Sequence, residues 1–338
     1  MQAAIFKGNG ILEIEERPVP KIKFPNQVLL KVHAASICGS DIHALHVPPG
    51  QIYDTDIIIG HEFFGTIVEK GTAVKNFDIG DCVAVNPCLP CGECWECKHN
   101  MRNLCQHPRH YGQTCDGGFA DYAVVESSQI YHLPKDIIPE IAAQTEPLAC
   151  CMYSLKMVNP SPSDHILLYG AGPIGLTFEK VLLQYGVKNL AVVAKGDLRI
   201  QEAKKCGATF VIDCEKDNVE RSIRSRWSCG ADIVIDAVGR GSVLEESIGL
   251  TNSRGRILLF GLNHNAVSKV PPAVYTQREI TMMGSLGKDF PAAIELIRDN
   301  TFRLDEFVTH RLPLKEVNHG FDLLRSKEAC RVILFPEH

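Results

Sequence analysis

A glycine-rich turn constrains the fold of this 338-residue chain more than any other feature. Residues 165–175 read His-Ile-Leu-Leu-Tyr-Gly-Ala-Gly-Pro-Ile-Gly, and an apolar stretch without helix breakers follows. The apolar run before the glycines is typical of a buried parallel strand, and the order strand, glycines, helix is that of a dinucleotide-binding turn. Gly170 permits the tight turn, Gly172 lets the backbone approach a pyrophosphate, and Gly175 lets the helix pack on the strand. We expect this turn to contact a dinucleotide through Gly170, Gly172, Pro173, Ile174 and Gly175.

Strands and helices alternate from residue 165 onward. Further strand-like runs occupy residues 189–194, 210–212, 232–239, 256–261 and 279–284. This alternation predicts a doubly wound parallel sheet. The chain before residue 150 reads mostly as strands, and the tail from residue 287 contains a helix near Pro291–Arg298 and an apolar strand at residues 331–335. We therefore predict an α/β protein with a β-rich domain over residues 1–150, a dinucleotide-binding domain over residues 151–286, and a segment over residues 287–338 that returns to the first domain.

Composition excludes several classes of function. The hydrophobic content of 45%, the charged content of 22% and the net charge of −5 are those of an ordinary soluble globular protein. No basic cluster with interleaved aromatics points to nucleic acid, and no apolar run is long enough to span a bilayer. Residues 1–7 lack the apolar core of a secretion signal. We expect a cytoplasmic protein without a nucleic-acid or membrane partner.

The fourteen cysteines are numerous for a cytosolic chain, and in a reducing compartment clustered cysteines are more often metal ligands than disulfides. A segment of about residues 86–110 holds Cys91, Cys94, Cys97 and Cys105. Four thiolates at this spacing suit a closed tetrahedral zinc site, which is structural because no position is left for water or substrate. Free cysteines in a loop are the alternative. Cys88 lies just outside the spacing and is interpreted as a bystander.

A second set of possible metal ligands is scattered along the first 150 residues. It consists of Cys38, the neighbours His61 and Glu62, and Glu146, which precedes a proline. Each has an ordinary structural explanation when taken alone, such as a helix cap near Cys38 or a carboxylate at a helix N-terminus for Glu146. Their occurrence together in one chain favours a second metal site.

These motifs together resemble the zinc-dependent medium-chain alcohol dehydrogenases, in particular the branch with sorbitol, threonine and sugar-alcohol-phosphate dehydrogenases. The resemblance covers nearly the whole chain and is most specific in the four-cysteine segment, the Gly60-His61-Glu62 step and the glycine turn. It implies a GroES-like catalytic domain followed by a Rossmann domain. It further implies that Cys38, His61 and Glu62 hold a catalytic zinc. Glu146 is the favoured fourth ligand because Glu-Pro-Leu matches that branch, and Cys150, where ethanol-type enzymes place a thiolate, is the alternative.

The resemblance also implies a reaction. A zinc-assisted secondary alcohol gives a hydride to the nicotinamide of NAD or NADP. Ser40 accepts the proton, a ribose hydroxyl passes it on, and His43 exchanges it with water; an exposed polar side chain is the alternative interpretation of His43. The expected substrate is a polyol, cyclitol or sugar alcohol, including aminated or phosphorylated forms. The alternatives are the same chemistry with NAD on a threonine-like amino alcohol, a zinc-free double-bond reductase, which the metal set argues against, and a nucleotide-binding relative without turnover.

The end of the second strand indicates the cofactor. NAD sites usually carry an acid there, whereas this chain has Ala194 followed by Lys195, with Arg199 in the next turn. Lys and Arg bind a 2′-phosphate, and Asp197, the nearby acid, is explained equally well as a helix cap. We therefore favour NADP over NAD. Further cofactor contacts are expected at Val238, Leu262 and Ser285.

The sixth strand-like run, residues 279–284, predicts an assembly. It is expected at the edge of the parallel sheet, where an unpaired strand is a liability. In enzymes of the family this chain resembles, that strand commonly pairs with its twin across a two-fold axis. We expect a homodimer or a homotetramer.

Overall fold

The computed structural model of the protein describes residues 1–51 and 53–337 and divides into two compact units. The first unit comprises Met1–Ala149 and Lys288–His338, and the second comprises Cys150–Gly287. The strands, in chain order, are β1 (Gln2–Gly8), β2 (Ile11–Glu16), β3 (Gln27–Ser36), β4 (Ile57–Ile58), β5 (Glu62–Lys70), β6 (Cys82–Val85), β7 (Cys88–Leu89), β8 (Arg109–His110), β9 (Tyr122–Glu126), β10 (Ile130–His132), β11 (His165–Tyr169), β12 (Asn189–Ala194), β13 (Phe210–Asp213), β14 (Ala231–Asp236), β15 (Thr251–Leu259), β16 (Thr281–Gly284), β17 (Val308–Pro313) and β18 (Arg331–Phe335).

The helices range in length from 4 to 14 residues. They are α1 (Gly39–Ala44), α2 (Trp95–Lys98), α3 (Pro139–Ala142), α4 (Thr145–Val158), α5 (Pro173–Gln184), α6 (Asp197–Cys206), α7 (Val219–Arg224), α8 (Gly241–Leu250), α9 (Ala273–Arg278), α10 (Phe290–Ile297) and α11 (Val317–Ser326). In the described residues, no helix combines the length and the apolar character needed to cross a membrane.

The first unit is organised around strand β3. The larger sheet has the order β10-β6-β5-β3-β18-β17, with β9 also paired to β3, and a smaller sheet has the order β2-β1-β4. Val28, Leu30 and Val32 alternate along β3 and are fully buried in the core, as the period of two of a strand requires. Strand β18, near the end of the chain, pairs antiparallel with β3. The C-terminal segment therefore contributes two strands, β17 and β18, to the larger sheet of the first unit.

The second unit confirms the predicted doubly wound sheet. Its strands are all parallel, in the order β13-β12-β11-β14-β15-β16. From β11 the chain adds strands first on one side, up to β13, and then on the other side, starting with β14. Buried residues of the inner strands, such as Leu167, Ala191 and Val234, form its core. The ends of the predicted strands differ from the observed ones by a few residues. The sixth strand begins at Thr281 because Glu279 has a left-handed backbone (φ 50°) and ends helix α9.

Candidate functional site

Three of the predicted metal ligands meet where strand β3 ends and strand β5 begins. Ser36, the last residue of β3, lies opposite Glu62, the first residue of β5. The chain leaving β3 reaches Cys38, which is the N-cap of helix α1, and His61 directly precedes β5. The ligand atoms of Cys38, His61 and Glu62 lie within 4.8 Å of one another. Two neighbouring antiparallel strands thus bring together residues that are more than twenty positions apart.

Glu146 lies close to this cluster. It is buried near the start of helix α4. Burial raises the pKa of Glu62, and the negative charge of Glu146 adds to that rise. Among the described residues it does not belong to the group within 4.8 Å. Its Oε1 atom lies 3.4 Å from Lys288 Nζ. Cys150, the alternative fourth ligand, follows one turn later on α4 and belongs to the second unit.

The donor set of this cluster suits zinc. A thiolate, an imidazole and a carboxylate are the ligands that Zn²⁺ takes in proteins. Burial, followed by the nearby charge of Glu62, raises the pKa of the Cys38 thiol, and burial also raises the pKa of Glu62. A divalent cation offsets both effects because it favours the charged form of each group. The residues present therefore fit a zinc ion.

Asp41 supports two of these ligands from behind. It is fully buried, and its carboxylate accepts hydrogen bonds from the Cys38 backbone N–H at 3.0 Å and from the Tyr53 hydroxyl at 3.0 Å. Its Oδ1 atom also lies 3.3 Å from His61 Nδ1, within ion-pair distance but without hydrogen-bond alignment. Burial lowers the pKa of His61, but the charges of Asp41 and Cys38 outweigh burial and raise it well above its ordinary value. A carboxylate beside Nδ1 leaves Nε2 as the metal-binding nitrogen.

Arg331, the first residue of β18, contacts the cluster from the other side. Its Nη1 donates to Glu62 Oε2 at 2.8 Å and to Ser36 Oγ at 2.8 Å. Both Arg331 and Glu62 are 1% exposed. Within the described ranges, Arg331 Nε and Nη2 have no hydrogen-bond partner. The guanidinium is thus a buried cation held mainly by one metal-ligand candidate.

The predicted proton-relay residues lie on helix α1. Ser40 Oγ is 3.3 Å from the hydroxyl of Tyr53. Burial, then the charge of Asp41, raises the pKa of Tyr53 well above its ordinary value, so this hydroxyl keeps its proton. His43 lies one turn further at the surface, and partial burial together with the neighbouring His46 lowers its pKa.

A second group of polar residues lies near Glu146 and His61, and sequence reasoning missed it. It is formed by His110 on strand β8, by Cys88 opposite it on β7, and by Lys288. Burial, then the charge of Lys288, lowers the pKa of His110 to about 4, so this imidazole is neutral near pH 7. Burial raises the pKa of Cys88, and Lys288 opposes that effect. Cys88, interpreted above as a bystander, therefore lies near an ionic group of the site.

The four-cysteine segment forms a compact sulfur cluster. The ligand atoms of Cys91, Cys94, Cys97 and Cys105 lie within 4.8 Å of one another, with Cys94 Sγ and Cys105 Sγ 3.8 Å apart and Cys91 Sγ and Cys97 Sγ 4.0 Å apart. A zinc tetrahedron with bonds of about 2.3 Å has edges of about 3.8 Å. The backbone N–H groups of Glu93 and Cys94 point at Cys91 Sγ and lower its pKa to about 6. The sulfurs are therefore spaced for zinc and not for disulfides.

The glycine turn has the predicted geometry in the second unit. Gly170 has φ of +100°, a conformation that favours glycine. A side chain at Gly175 would meet Gly170 O at 1.8 Å, whereas one at Gly172 would meet no atom within 4 Å. Gly172 is the N-cap of α5, and Pro173 is its first residue. The turn thus packs helix on strand at Gly175 and leaves open space at Gly172, where a pyrophosphate would approach.

Comparison with known protein families and proteins bears on what these sites do. The family model "Alcohol dehydrogenase GroES-like domain" matches residues 24–135, and the model "Zinc-binding dehydrogenase" matches residues 173–299. Sorbitol dehydrogenase of Halalkalibacterium halodurans is 30% identical over 97% of both chains. D-arabitol-phosphate dehydrogenase of Enterococcus avium is 32% identical over 91% of this chain and 90% of its own.

This chain belongs to the zinc-dependent medium-chain alcohol dehydrogenases. Solved structures agree with that assignment. A protein of Sinorhizobium meliloti 1021, described as a zinc-binding dehydrogenase and bound to NADP, has a TM-score of 0.92, 26% identity and 99% coverage of both chains. A protein of Escherichia coli CFT073, described as a short chain alcohol dehydrogenase complexed with NADH, has a TM-score of 0.91, 30% identity and the same coverage. Both the predicted family and the predicted fold class are confirmed.

In this dehydrogenase the expected cofactor contacts gather at the carboxyl ends of the parallel strands. Val238 and Leu262 are exposed just beyond β14 and β15. Ser285 follows β16, and its hydroxyl is 2.6 Å from that of Ser154. Asp236, at the end of β14, accepts the backbone N–H groups of Val238 and Gly239 at 2.8 and 2.9 Å and so shapes this edge.

The end of β12 differs from the expectation in two respects. Asp197 is the first residue of α6 and not its cap, because Gly196 occupies the N-cap with φ of 89°. Lys195 Nζ lies 2.9 Å from Glu215 Oε1, in the turn after β13. An acid therefore lies beside the predicted phosphate-binding lysine, and it belongs to the turn that follows the neighbouring strand β13.

Proposed function

We propose that this dehydrogenase oxidises a secondary alcohol of the polyol, cyclitol or sugar-alcohol type and transfers the hydride to NADP. The observation that carries the proposal is the convergence of Cys38, His61 and Glu62 within 4.8 Å, backed by the buried carboxylate of Asp41. Such a donor set would hold one zinc, with Glu146 as the proposed fourth ligand. When bound, that zinc would act as a Lewis acid toward the alcohol oxygen.

The chain's own residues would orient the ligands and move the proton. Asp41 would hold His61 and the backbone of Cys38, and Arg331 would hold Glu62. Ser40 would receive the hydroxyl proton of the substrate, because its own hydroxyl is kept in place by Tyr53. His43, at the surface end of the same helix and neutral near pH 7, would exchange that proton with water.

The proposed substrate class is supported by the polar residues near Glu146 and by the names of relatives. Lys288 and His110 offer a cationic and a neutral hydrogen-bonding group beside Glu146, which suits an oxygen-rich substrate. The relatives described above are named for sorbitol and for arabitol phosphate.

The proposed preference for NADP is supported by Lys195, which directly follows β12, and by Arg199 in the first turn of α6, since cations there favour a 2′-phosphate. The solved relatives bind NADP in one case and NADH in the other.

We also propose that the first unit is the catalytic domain and that the second is the cofactor domain. The exposed edge strand β16 is proposed to pair with a second copy of the chain in a homodimer or homotetramer. A monomer in sedimentation would overturn the assembly.

The function is tested with a panel of polyols, cyclitols, sugar-alcohol phosphates and threonine, each with NADP and with NAD, by following absorbance of the reduced nicotinamide. We expect turnover with at least one hydroxyl-rich substrate and a higher kcat/KM with NADP. If threonine is the substrate that is turned over, and only NAD supports that turnover, both the proposed substrate class and the proposed cofactor are contradicted. The double variant Ala194→Asp with Lys195→Ala should move the preference toward NAD, because it replaces an attractive cation by a carboxylate.

A further inference from the structure

The pairing of β12 with β13 brings an acid close to the carboxyl end of β12, where the ribose of the cofactor is expected to bind. Ala194 of β12 lies opposite Asp213 of β13, and the Cys214 backbone N–H donates to Ala194 O at 3.1 Å. Glu215 follows directly, and its Oε1 is 2.9 Å from Lys195 Nζ. An acid thus lies beside Lys195 in the turn after the third strand of this sheet, whereas an NAD site usually takes its acid from the end of the second strand.

The charges around this pair are mixed. Lys216 Nζ lies 3.0 Å from Asp213 Oδ2 and 3.8 Å from Asp197 Oδ1, so it too is matched by acids. Arg240, the N-cap of α8, is close enough to Lys195 for its charge to lower the pKa of that lysine, although the hydrogen bond and charge of Glu215 outweigh it and the net shift is upward. Two of the cations that a 2′-phosphate would meet here, Lys195 and Lys216, already have carboxylate partners.

We propose that Glu215 is a cofactor-specificity residue that weakens the preference for NADP by competing with the 2′-phosphate for Lys195. This inference rests on the proposed function, in that a nicotinamide dinucleotide binds at this edge. With a 2′-phosphate present, Lys195 has to leave Glu215, and the carboxylate repels the phosphate. With a free 2′-hydroxyl, the ion pair stays intact and the Glu215 carboxylate is an acceptor for that hydroxyl.

The size of the effect follows from exposure. The side chains of Lys195 and Glu215 are 48% and 49% exposed, so water and salt screen their interaction. We therefore expect a change of several-fold in affinity at low ionic strength, and a smaller change at high salt. Replacing the half-exposed Glu215 in a turn leaves the core unchanged, so the variant is expected to fold.

The experiment measures nucleotide binding by calorimetry, without substrate or turnover. The probes are adenosine 2′,5′-bisphosphate, which carries the 2′-phosphate, and adenosine 5′-monophosphate, which does not. Glu215→Gln should raise the affinity for the bisphosphate several-fold and leave the affinity for the monophosphate unchanged or lower. Lys195→Met should lower the affinity for the bisphosphate. Glu220→Gln is the matched control, because Glu220 is also an exposed glutamate in an ion pair, with Arg224 on α7.

The outcomes separate this inference from the proposed function. If the wild type binds both probes and Glu215→Gln changes their ratio no more than Glu220→Gln does, the role of Glu215 is overturned and the nucleotide site stands. If the wild type binds neither probe, the proposed cofactor site fails, and the inference fails with it.

Discussion

Arg331 Nη1 lies 2.8 Å from Glu62 Oε2, and each side chain is 1% exposed. The two residues are 269 positions apart, one in each of the two chain segments that form the first unit. A buried ion pair of this kind is costly to break, since the remaining charge loses its partner but stays out of water. The contact therefore ties the position of a proposed metal ligand to the last strand of the chain.

Arg331→Met should consequently destabilise the protein by roughly 3–5 kcal/mol, because it removes the guanidinium partner of the buried Glu62 carboxylate. Urea unfolding measures the change. Arg325→Met is the control, because Arg325 forms an exposed pair with Asp322 and should cost less than about 1 kcal/mol. An Arg331→Met variant as stable as this control would show that the pair contributes no stability.

Asp41→Asn should weaken zinc binding at the Cys38, His61 and Glu62 cluster by about 10- to 100-fold. It removes the carboxylate beside His61 Nδ1 while keeping an oxygen for the Cys38 N–H. Competition with a chromogenic chelator measures the affinity. Asp322→Asn, at an exposed position, serves as the control. Equal zinc retention in the two variants would contradict the supporting role of Asp41.

Cys97→Ser should remove the zinc of the four-cysteine cluster and leave that of the other cluster, so that the purified protein carries one zinc per chain instead of two. The melting temperature should fall as well, because an incomplete thiolate site loses metal-binding energy that stabilises the fold. Metal analysis and thermal unfolding check both effects. Cys229→Ser, at an exposed cysteine of the second unit, should change neither. A native wild type without zinc in this cluster would refute the site.

Glu179 in helix α5 gives a pH dependence of stability. Burial raises its pKa to about 8, although its Oε1 accepts the Ala208 N–H at 2.9 Å. The folded-state pKa lies above that of the unfolded chain, so the stability present below about pH 4.5 declines as pH rises toward 8. The slope from this group approaches about 1.4 kcal/mol per pH unit. Glu179→Gln should therefore reduce the decline in the free energy of unfolding between pH 5 and 8, as measured by urea unfolding. If its slope equals that of the control variant Glu220→Gln, Glu179 is not the source of the pH dependence.

Local patterns in the sequence were sufficient for part of this structure. The glycine spacing at Gly170–Gly175 and the alternation of strands and helices depend on neighbouring residues, and the parallel sheet follows from them. The cysteine spacing is equally local, and its four sulfurs do gather. The roles assigned to individual site residues remain predictions.

Long-range partners could not be predicted in the same way. Arg331 heads an otherwise apolar strand, and a charge at that position was the one available signal of a buried partner. Lys288 and His110 have no pattern around them, and their proximity to Glu146 depends on tertiary packing. The ion pair of Glu215 with Lys195 was missed because the rule for cofactor choice considers the residue at the end of the second strand, whereas this acid follows the third strand.

The most direct test of the central claim compares His61→Ala with the wild type in two measurements on the same samples. Catalytic turnover of the best alcohol, with saturating cofactor, should fall below detection, because the variant lacks a central donor of the proposed zinc site. Binding of adenosine 2′,5′-bisphosphate should be unchanged, because the glycine turn belongs to the other unit. A His61→Ala variant that keeps near-normal kcat would contradict the assignment of the reactive metal centre to Cys38, His61 and Glu62.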